Sequence, residues 1–493
     1  MRKKVSFRIG MCPPEENILI SCTSTNDGKG LAPFKYAQPM LLPKVRPKRS
    51  RPGTLKKRYN VMVLGIDALS RLNFLRQMKK TREWLEKNNK RNKIIEMFGY
   101  NKIGENSAPN QIPMMTGESY IPGMMDRAIG HYFDNISSYI WQDYSKQNFN
   151  TLFFEEQWPT GLFIHPSLRG FLEAPTDYWP RPIMQAADQM PSKRRGICFG
   201  PIYASKIYLD YLRDLLLVSR MSDPLFSYAW FSELSHDILI GARRLDEDFR
   251  AFFEELDAHK LLDETVILFL SDHGSRLEEW RGTEVGRYED MLPFFYVMLP
   301  NELLEKRPEI ENNLSVNSRR LATVYDIHAT LKELTEPGHD GGKSTTTERG
   351  YSLISERIPE ERTCLQAGIN LQFCSCLKPT RLRTDSRLAK EFATLVLDTA
   401  NKEILENNAT SVCATWSLSD IYDVFQLQDP QNQFHVVKIL LYAEPAKAMF
   451  EASAVYRDGK LSLNSRVERL DWYSSHAGCV ENKPYARYCF CEG

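Results

Sequence analysis

The eight residues NVMVLGID, at positions 60–67, decide the fold class of this chain. Most of them are apolar, and they lack the polar–apolar alternation of a strand that has one face in water. Similar runs occur at 152–154, 225–231, 265–270 and 294–299. Amphipathic, helix-like segments lie between these runs. Buried strands that alternate with helices predict an α/β fold with a doubly wound, mostly parallel sheet and flanking helices.

The length of 493 residues exceeds what one hydrophobic core usually serves, so we expect one large and one smaller domain. The pattern changes after about position 360, where a helix-like segment precedes several strand-like runs. We therefore predict an irregular lead-in with a basic linker at 1–58, a catalytic domain at 59–360 and a cysteine-containing α+β domain at 361–493.

The overall charge gives no sign of a nucleic-acid partner, since 64 basic and 63 acidic residues leave a net charge of +1. The basic run at 44–58 is predicted to be a solvated linker rather than a polyanion-binding patch, because no aromatic residues interleave its charges. No apolar run is long enough for a transmembrane segment.

The ten cysteines favour an oxidising compartment. Cys12 and Cys22 lie near the N-terminus, and six more form two copies of the spacing C-x9-C-x-C, at 364, 374, 376 and at 479, 489, 491. Zinc sites of this kind would need paired C-x2-C ligands, which are absent. The pattern therefore predicts disulfide bonds in a small domain.

Three N-glycosylation sequons agree with that compartment, at Asn135, Asn313 and Asn408. The basic start at 1–5 is not followed by the apolar segment of an export signal, because the sequence CPPEE occupies 12–16. We expect an extracellular or secretory-pathway luminal protein whose signal segment is not part of this sequence.

Polar residues follow three of the predicted strands. Asp67 follows the first, the pair Asp272 and His273 follows the run at 265–270, and His236 lies just beyond the run at 225–231. A lone Asp at a strand end is usually a helix cap, and a lone His is usually structural. Three such ends on one sheet edge are better explained by a site. Carboxylates with an imidazole suit one divalent ion, zinc, manganese or magnesium.

The segment GENSAPN at 104–110 reads by itself as a turn that opens a helix, with Ser107 as a cap. Together with Asp67, the Thr116-Gly117 helix end and the SDHG sequence at 271–274, it resembles the alkaline phosphatase superfamily. In the nucleotide pyrophosphatase/phosphodiesterase branch, a threonine at this position is both nucleophile and metal ligand. The resemblance implies that Ser107 is the nucleophile and the fourth ligand.

Longer motifs resemble one family within that superfamily, the animal family called domain of unknown function 229. They are IDALSR at 66–71, FGYNK at 98–102, LSHD at 234–237 and YDIHATL at 325–331. The resemblance covers most of 58–493. It implies an alkaline-phosphatase-like, sulfatase-like extracellular protein, but it supplies no substrate.

Two departures from the superfamily pattern narrow the chemistry. Gln111 stands where sulfatases need an arginine for formylglycine formation, which disfavours sulfate-ester hydrolysis. Ser232 replaces the aspartate four residues before His236 that two-metal members supply, and 286–290 lacks a late histidine. We therefore expect one metal ion. By similarity to the one-metal lipoteichoic acid synthase branch, His236 is assigned to substrate binding or leaving-group protonation.

Substrate binding is assigned to Asn106, Lys102 and Arg276, which sit beside motif residues, although salt bridges explain the two cations equally well. His328 lies in a helical pattern and is expected to be structural. The insertion at 157–200 is expected to set specificity.

The predicted function is a metal-dependent hydrolase or transferase that acts on a phosphoester, less readily a sulfate ester, through a serine nucleophile. The substrate would be a phosphorylated or sulfated small molecule, lipid or glycan. The alternative is a non-catalytic secreted binding protein on a retained sulfatase-like fold.

Overall fold

The computed structural model shows two large sheets and their helices. It describes residues 17–22, 34–39, 58–119, 130–135, 138–157, 161–164, 168–188, 197–199, 202–276, 279–335, 348–428, 435–471, 476–480, 483 and 485–492. The strands are β1 (Asn17–Cys22), β2 (Phe34–Pro39), β3 (Asn60–Ile66), β4 (Ile94–Glu96), β5 (Asn150–Glu155), β6 (Cys198–Phe199), β7 (Ile202–Tyr203), β8 (Leu225–Phe231), β9 (Thr265–Leu270), β10 (Phe295–Met298), β11 (Pro379–Arg381), β12 (Ser417–Gln428), β13 (His435–Glu444), β14 (Ala448–Arg457), β15 (Lys460–Leu463) and β16 (Glu468–Arg469).

The helices lie mainly between the strands of the first sheet. They are α1 (Arg71–Gln77), α2 (Lys79–Asn92), α3 (Ser107–Thr116), α4 (Ile140–Lys146), α5 (Arg181–Asp188), α6 (Ala204–Ser219), α7 (Asp246–Ala258), α8 (Glu284–Met291), α9 (Asn301–Lys306), α10 (Glu309–Asn317), α11 (Val324–Thr335) and α12 (Arg387–Glu406).

The predicted α/β sheet is confirmed, in the order β4-β10-β9-β3-β8-β5. Strands β5, β8, β3 and β9 are parallel to one another. The run at 294–299, predicted as a further strand of the parallel set, instead forms β10, which is antiparallel to both β9 and β4. The four parallel strands thus end on the same edge of the sheet, as the sequence predicted.

Both faces of this sheet are covered, which explains why its strands read as continuous apolar runs. Val61 and Val63 of β3 pack into the core on the side of α3, α4 and α11. Met62 and Leu64 pack into the other core, with α1, α2, α6 and α7. Gly65 faces Trp230 of β8 so closely that a Cβ would lie 1.9 Å from its ring, so only glycine fits there.

A second, antiparallel sheet follows in the order β11-β12-β13-β14-β15, with β16 beside β14. Helix α12 packs on it through Phe392, Val396 and other residues of a separate core. Phe425 and Leu427 of β12 belong instead to a core shared with the first sheet. The second unit is therefore α+β, and part of its sheet is packed against the first unit.

Disulfide bonds are present as predicted, but the two cysteine repeats are not bonded alike. Cys364 bonds Cys374, the second cysteine of its repeat, whereas Cys479 bonds Cys491, the third of its own. Cys489 bonds Cys413, which the repeat did not include. Cys198 and Cys376 are free thiols within the described residues. Cys12 lies outside the described residues, and the description of Cys22 covers its backbone alone.

The lead-in predicted to be irregular contains the antiparallel pair β1 and β2, and its basic run lies outside the described residues apart from Arg58.

Among the sequons, Asn408 is exposed. Asn313, by contrast, is 7% exposed and donates its amide to the Ile354 carbonyl, which leaves no place for a glycan. The third sequon, at 135–137, extends outside the described residues. Within the described part of the chain, every helix is too short or too polar to cross a membrane.

Candidate active site

The first site residue, Asp67, leaves the sheet directly after β3. Its backbone N–H donates to the Phe231 carbonyl at 2.8 Å, which ties the ends of β3 and β8 together. The chain then turns at Ala68, whose φ of 56° is in the left-handed region that alanine rarely adopts. The turn directs the Ala68 N–H to Oδ1 of Asp272, 3.3 Å away. Backbone strain is thus located next to the predicted metal ligands.

His273 follows β9 and is fully buried. Its Nδ1 contacts the Gly274 carbonyl at 2.7 Å, so Nδ1 carries the proton and Nε2 keeps a free lone pair. A Cβ on Gly274 would lie 2.1 Å from the Glu289 carbonyl, so α8 can approach only because this residue is glycine. The ring is therefore fixed in the tautomer that a metal ligand needs.

The four residues assigned to the metal converge in one place. Ligand atoms of Asp67, Asp272 and His273 all lie within 4.8 Å of one another. Oγ of Ser107 is 3.4 Å from Nε2 of His273 and 3.5 Å from Oδ1 of Asp67. Nε2 of His273 is 3.7 Å from the nearest oxygen of either carboxylate. Three strand and helix ends thus present oxygen and nitrogen donors to a common point.

Ser107 is held there by the turn before α3. Oδ1 of Asn110 accepts from the N–H groups of Ile103 and Gly104, at 2.7 and 3.2 Å. Its Nδ2 donates to the carbonyls of Gly104 and Asn106, at 3.1 and 2.8 Å. One buried amide side chain therefore satisfies four backbone groups of the loop, which explains the asparagine three residues after the serine.

Gln111 has a direct role at the site that the sequence did not reveal. Its Nε2 donates to Oδ2 of Asp272 at 2.9 Å, and its Oε1 accepts from the Tyr228 hydroxyl at 2.9 Å. Because Gln111 lies one helical turn after Ser107, both side chains point to the same side of α3. Gln111 orients a predicted metal ligand.

Charge in the cluster is not balanced by the protein. Within the described residues, neither Asp67 nor Asp272 forms an ion pair with a lysine or arginine. Burial, reinforced by Asp272, raises the pKa of Asp67 to about 8. Burial also lowers the pKa of His273. Two buried carboxylates beside a neutral imidazole suit a divalent cation, so the donor set fits the predicted metal.

His236 and Arg276 lie within electrostatic reach of Asp67. Nδ1 of His236 is 2.5 Å from Oδ1 of Asp237, and this hydrogen bond raises the pKa of His236. Arg276 is partly exposed and forms no hydrogen bond or ion pair within the part of the chain that is described. Both groups are available to a ligand at the mouth of the site.

Lys102 and Asn106 are placed differently. The Lys102 ammonium is fully buried, donates to both oxygens of Asp290 at 2.7 and 2.8 Å, and contacts the Glu105 carbonyl at 3.2 Å. Its donors are thus used inside the protein, and the structure shows it supporting the loop rather than facing a ligand. Asn106 is partly exposed at the start of α3, and its side chain makes no capping bond.

The end of β5 carries two acids that sequence reasoning did not single out. Glu156 accepts from the N–H groups of Ser232 and Glu233, both at 3.0 Å. Burial raises the pKa of Glu155 to about 7 and that of Glu156 to about 8. Glu155 is the last residue of β5 and Glu156 is the next, so their position at the end of a strand of the parallel set was the signal that could have found them. His328, as expected, is structural, with Nδ1 3.0 Å from the Met114 carbonyl.

The mostly parallel sheet, with these residues at its carboxyl edge, defines an alkaline-phosphatase-like α/β protein. The chain belongs to the family described as Protein of unknown function (DUF229), whose model matches residues 4–422. The family predicted from the motifs is therefore confirmed. No curated protein matches the chain.

Solved structures of low identity are also similar. A Vibrio parahaemolyticus protein in the alkaline phosphatase superfamily is 11% identical, with 84% of this chain and 83% of that chain covered and a TM-score of 0.41. The C-terminal periplasmic domain of EcEptC from Escherichia coli, in complex with Zn, is 10% identical over 62% and 88%, with a TM-score of 0.40. The lipoteichoic acid synthase LtaP from Listeria monocytogenes is 12% identical over 50% and 66%, with a TM-score of 0.36.

Proposed function

We propose that this protein is a metal-dependent hydrolase or transferase that acts on a phosphoester, with Ser107 as the nucleophile. The observation that carries the proposal is the position of the Ser107 hydroxyl, 3.4 Å from His273 and 3.5 Å from Asp67, at a buried cluster with uncompensated negative charge. A hydroxyl used only as a helix cap would not need to lie among these donors.

Asp67, Ser107, Asp272 and His273 would hold one divalent ion. Such an ion lowers the pKa of a bound hydroxyl and offsets negative charge on a phosphoryl group, which is the chemistry that a serine nucleophile lacks by itself. Gln111 supports this ligand set by fixing the Asp272 carboxylate through Oδ2.

The reaction needs two transfers at phosphorus. Ser107 loses its proton to solvent, its Oγ forms a bond to phosphorus, and the bond from phosphorus to the leaving oxygen breaks. His236 gives its ring proton to that oxygen. Water or an acceptor alcohol then attacks the phosphoserine, His236 takes the incoming proton, the bond from phosphorus to Oγ breaks, and Ser107 takes a proton back from solvent. Hydrolysis and transfer differ only in the second nucleophile.

The guanidinium of Arg276 pairs with the negative charge of the substrate. It is partly exposed and forms no ion pair within the described residues. Asn106 adds an amide beside the nucleophile. The side chain at 111 favours phosphate over sulfate esters, because Gln111 is engaged with Asp272 and Tyr228 where a sulfatase would carry arginine. The substrate is a phosphorylated small molecule, lipid or glycan.

The three disulfides support a secreted or luminal location, because such bonds persist in oxidising compartments. A thiol count on unfolded, unreduced protein tests this. Most of the ten cysteines reacting as free thiols would contradict it.

The activity is tested with a panel of aryl phosphate monoesters, diesters and sulfates, after dialysis against zinc, manganese or magnesium. Wild type should hydrolyse at least one phosphoester, and Ser107→Ala and Asp272→Ala should not. The alternative, a non-catalytic binding protein, would be supported if wild type and Ser107→Ala bind metal equally and neither turns over any ester.

A further inference from the structure

A cavity whose lining includes none of the proposed metal ligands lies between α8 and the antiparallel sheet. Its volume is about 240 Å³. The catalytic unit contributes four side chains and the second unit the other eight. The lining residues are Arg281, Thr283, Glu284, Arg287, Pro379, Arg381, Asp423, Phe425, Lys438, Ile439, Leu440 and Glu451.

Two of the carboxylates in this lining are already engaged. Asp423 pairs with Arg381 at 2.7 Å. Glu451 is shared between Lys438 at 2.8 Å and Arg281 at 3.1 Å. The remaining acid, Glu284, is exposed at the start of α8. The carboxylates inside the cavity are therefore not available to its fourth cation, Arg287.

Arg287 has a partner of another kind. Its guanidinium lies 4.4 Å from the ring centre of Phe425, which holds it as a flat plate against the second sheet. Within the described residues it forms no hydrogen bond or ion pair, and its Nε is buried without an acceptor. Arg281, which is 2% exposed, likewise has a buried Nε without an acceptor there.

Buried guanidinium donors without acceptors are costly, and a planar guanidinium matches the paired oxygens of a carboxylate or phosphate. We propose that this cavity, which we call the interdomain cavity, binds a small oxyanion through Arg287 and Arg281. Pro379, which is partly exposed, offers apolar surface for a short carbon skeleton attached to the oxyanion.

The size of the interdomain cavity indicates the part of a ligand that it can hold. At roughly 30 Å³ per water, its volume equals about eight waters. That volume suits a small metabolite-sized anion. The binding site stands on these side chains alone and does not depend on the proposed activity.

A link to catalysis follows if the proposed function is correct. Nη1 of Arg281 lies 2.8 Å from Oε1 of Glu105, two residues before Ser107. A ligand that binds Arg281 would therefore change the ion pair between Arg281 and Glu105, and with it the position of the loop that carries the proposed nucleophile. This consequence rests on the proposed function.

The test is calorimetric titration of the full-length protein with inorganic phosphate and, separately, with citrate. Either probe should bind wild type and Asp272→Asn, the variant that should hold no metal at the proposed active site, alike, and Arg287→Met should weaken that binding at least tenfold. Arg383→Met is the matched control, because Arg383 is exposed, pairs with Asp385 and does not line the cavity. It should bind as wild type does. Arg287→Lys, which keeps the charge but loses the planar fork, should also weaken binding, and it serves if Arg287→Met does not fold.

Two results would overturn the proposal. If binding is lost in Asp272→Asn and kept in Arg287→Met, the anion occupies the active site alone. If neither probe binds wild type, the cavity is a water-filled interface. The first result would leave the proposed function standing, whereas loss of ester hydrolysis with intact Arg287-dependent binding would remove only the proposed function.

Discussion

The buried cluster at the active site and the buried ion network beside it differ in how their charges are balanced. In the proposed active-site cluster, Asp67 and Asp272 form no ion pair with a lysine or arginine within the described residues, and His273 is 3.7 Å from each of them. In the network, three cations face three carboxylates, and each carboxylate lies 2.7–3.1 Å from at least one cation. The members are Lys102, Arg281, Lys438, Glu105, Asp290 and Glu451.

This difference in charge balance distinguishes a cluster that would bind an ion from a network that stabilises the fold. A buried charge is tolerated only when it is paired, so the balanced network needs no metal ion, whereas the unbalanced cluster needs a cation. The network is nonetheless close to the chemistry. Arg281 joins Glu105 in the loop before Ser107 to Glu451 in the second sheet, which ties the proposed nucleophile to the other domain.

Ser107→Ala should have the largest effect in the unbalanced cluster. Turnover should fall on the order of 10⁴-fold, because the nucleophile is lost while binding groups remain. Bound metal should persist, since three of the four ligands are untouched. The measurement is kcat together with metal content. Ser107→Thr keeps a hydroxyl and should retain part of the activity; equal loss in both variants would point to packing instead of nucleophilic attack.

Arg281→Met tests the balanced network. It leaves Glu105 without an ion-pair partner among the described residues and removes one of the two partners of Asp290 and of Glu451, so the free energy of unfolding should fall by about 3–5 kcal/mol. Denaturant unfolding measures this. Arg320→Met removes an exposed pair with Glu360 and should leave the midpoint unchanged. A stable Arg281→Met protein would show that the network does not support the fold.

Gln111→Met tests whether the Asp272 carboxylate must be oriented. The variant keeps the length of the side chain but loses both hydrogen bonds, so activity or metal affinity should fall about 10- to 100-fold. Gln366→Met, at an exposed glutamine, is the control. Unchanged activity and metal affinity in Gln111→Met would mean that Asp272 needs no such support.

Asp237→Asn should have the smallest effect, a shift of the pH profile. The Asp237 hydrogen bond raises the pKa of His236, so the protonated donor persists above its usual range and is lost as pH rises through the raised value. Without that bond, the alkaline limb of kcat/KM should move to lower pH. Asp385→Asn, at an exposed carboxylate, should not move it. An unmoved limb in Asp237→Asn would exclude His236 as the proton donor.

The sequence predicted the active-site cluster better than the network, for a physical reason. Ends of parallel strands meet at one edge, so Asp67, Asp272 and His273 could be brought together from apolar runs alone. The network joins residues such as Lys102 and Asp290, 188 positions apart, on elements whose packing no periodicity encodes. Lys102 was accordingly assigned to substrate.

The same reason explains the other differences. Gln111 meets Tyr228 through the packing of α3 on β8, which the residue spacing does not specify. Cys413 joins Cys489 across 76 positions, and no spacing rule gives that pairing. The run at 294–299 has the composition of a buried strand, but direction in a sheet depends on the connection rather than on the strand itself.

Metal stoichiometry tests the central claim most directly. Purified wild type, stripped with chelator and dialysed against zinc or manganese, should retain one divalent ion per chain by elemental analysis, and Asp272→Asn should retain almost none. Arg281→Met, if folded, should bind as wild type does, because the network holds no metal. Wild type that retains no ion, or an Asp272→Asn variant that retains as much, would contradict the assignment of Asp67, Asp272 and His273 as a metal site.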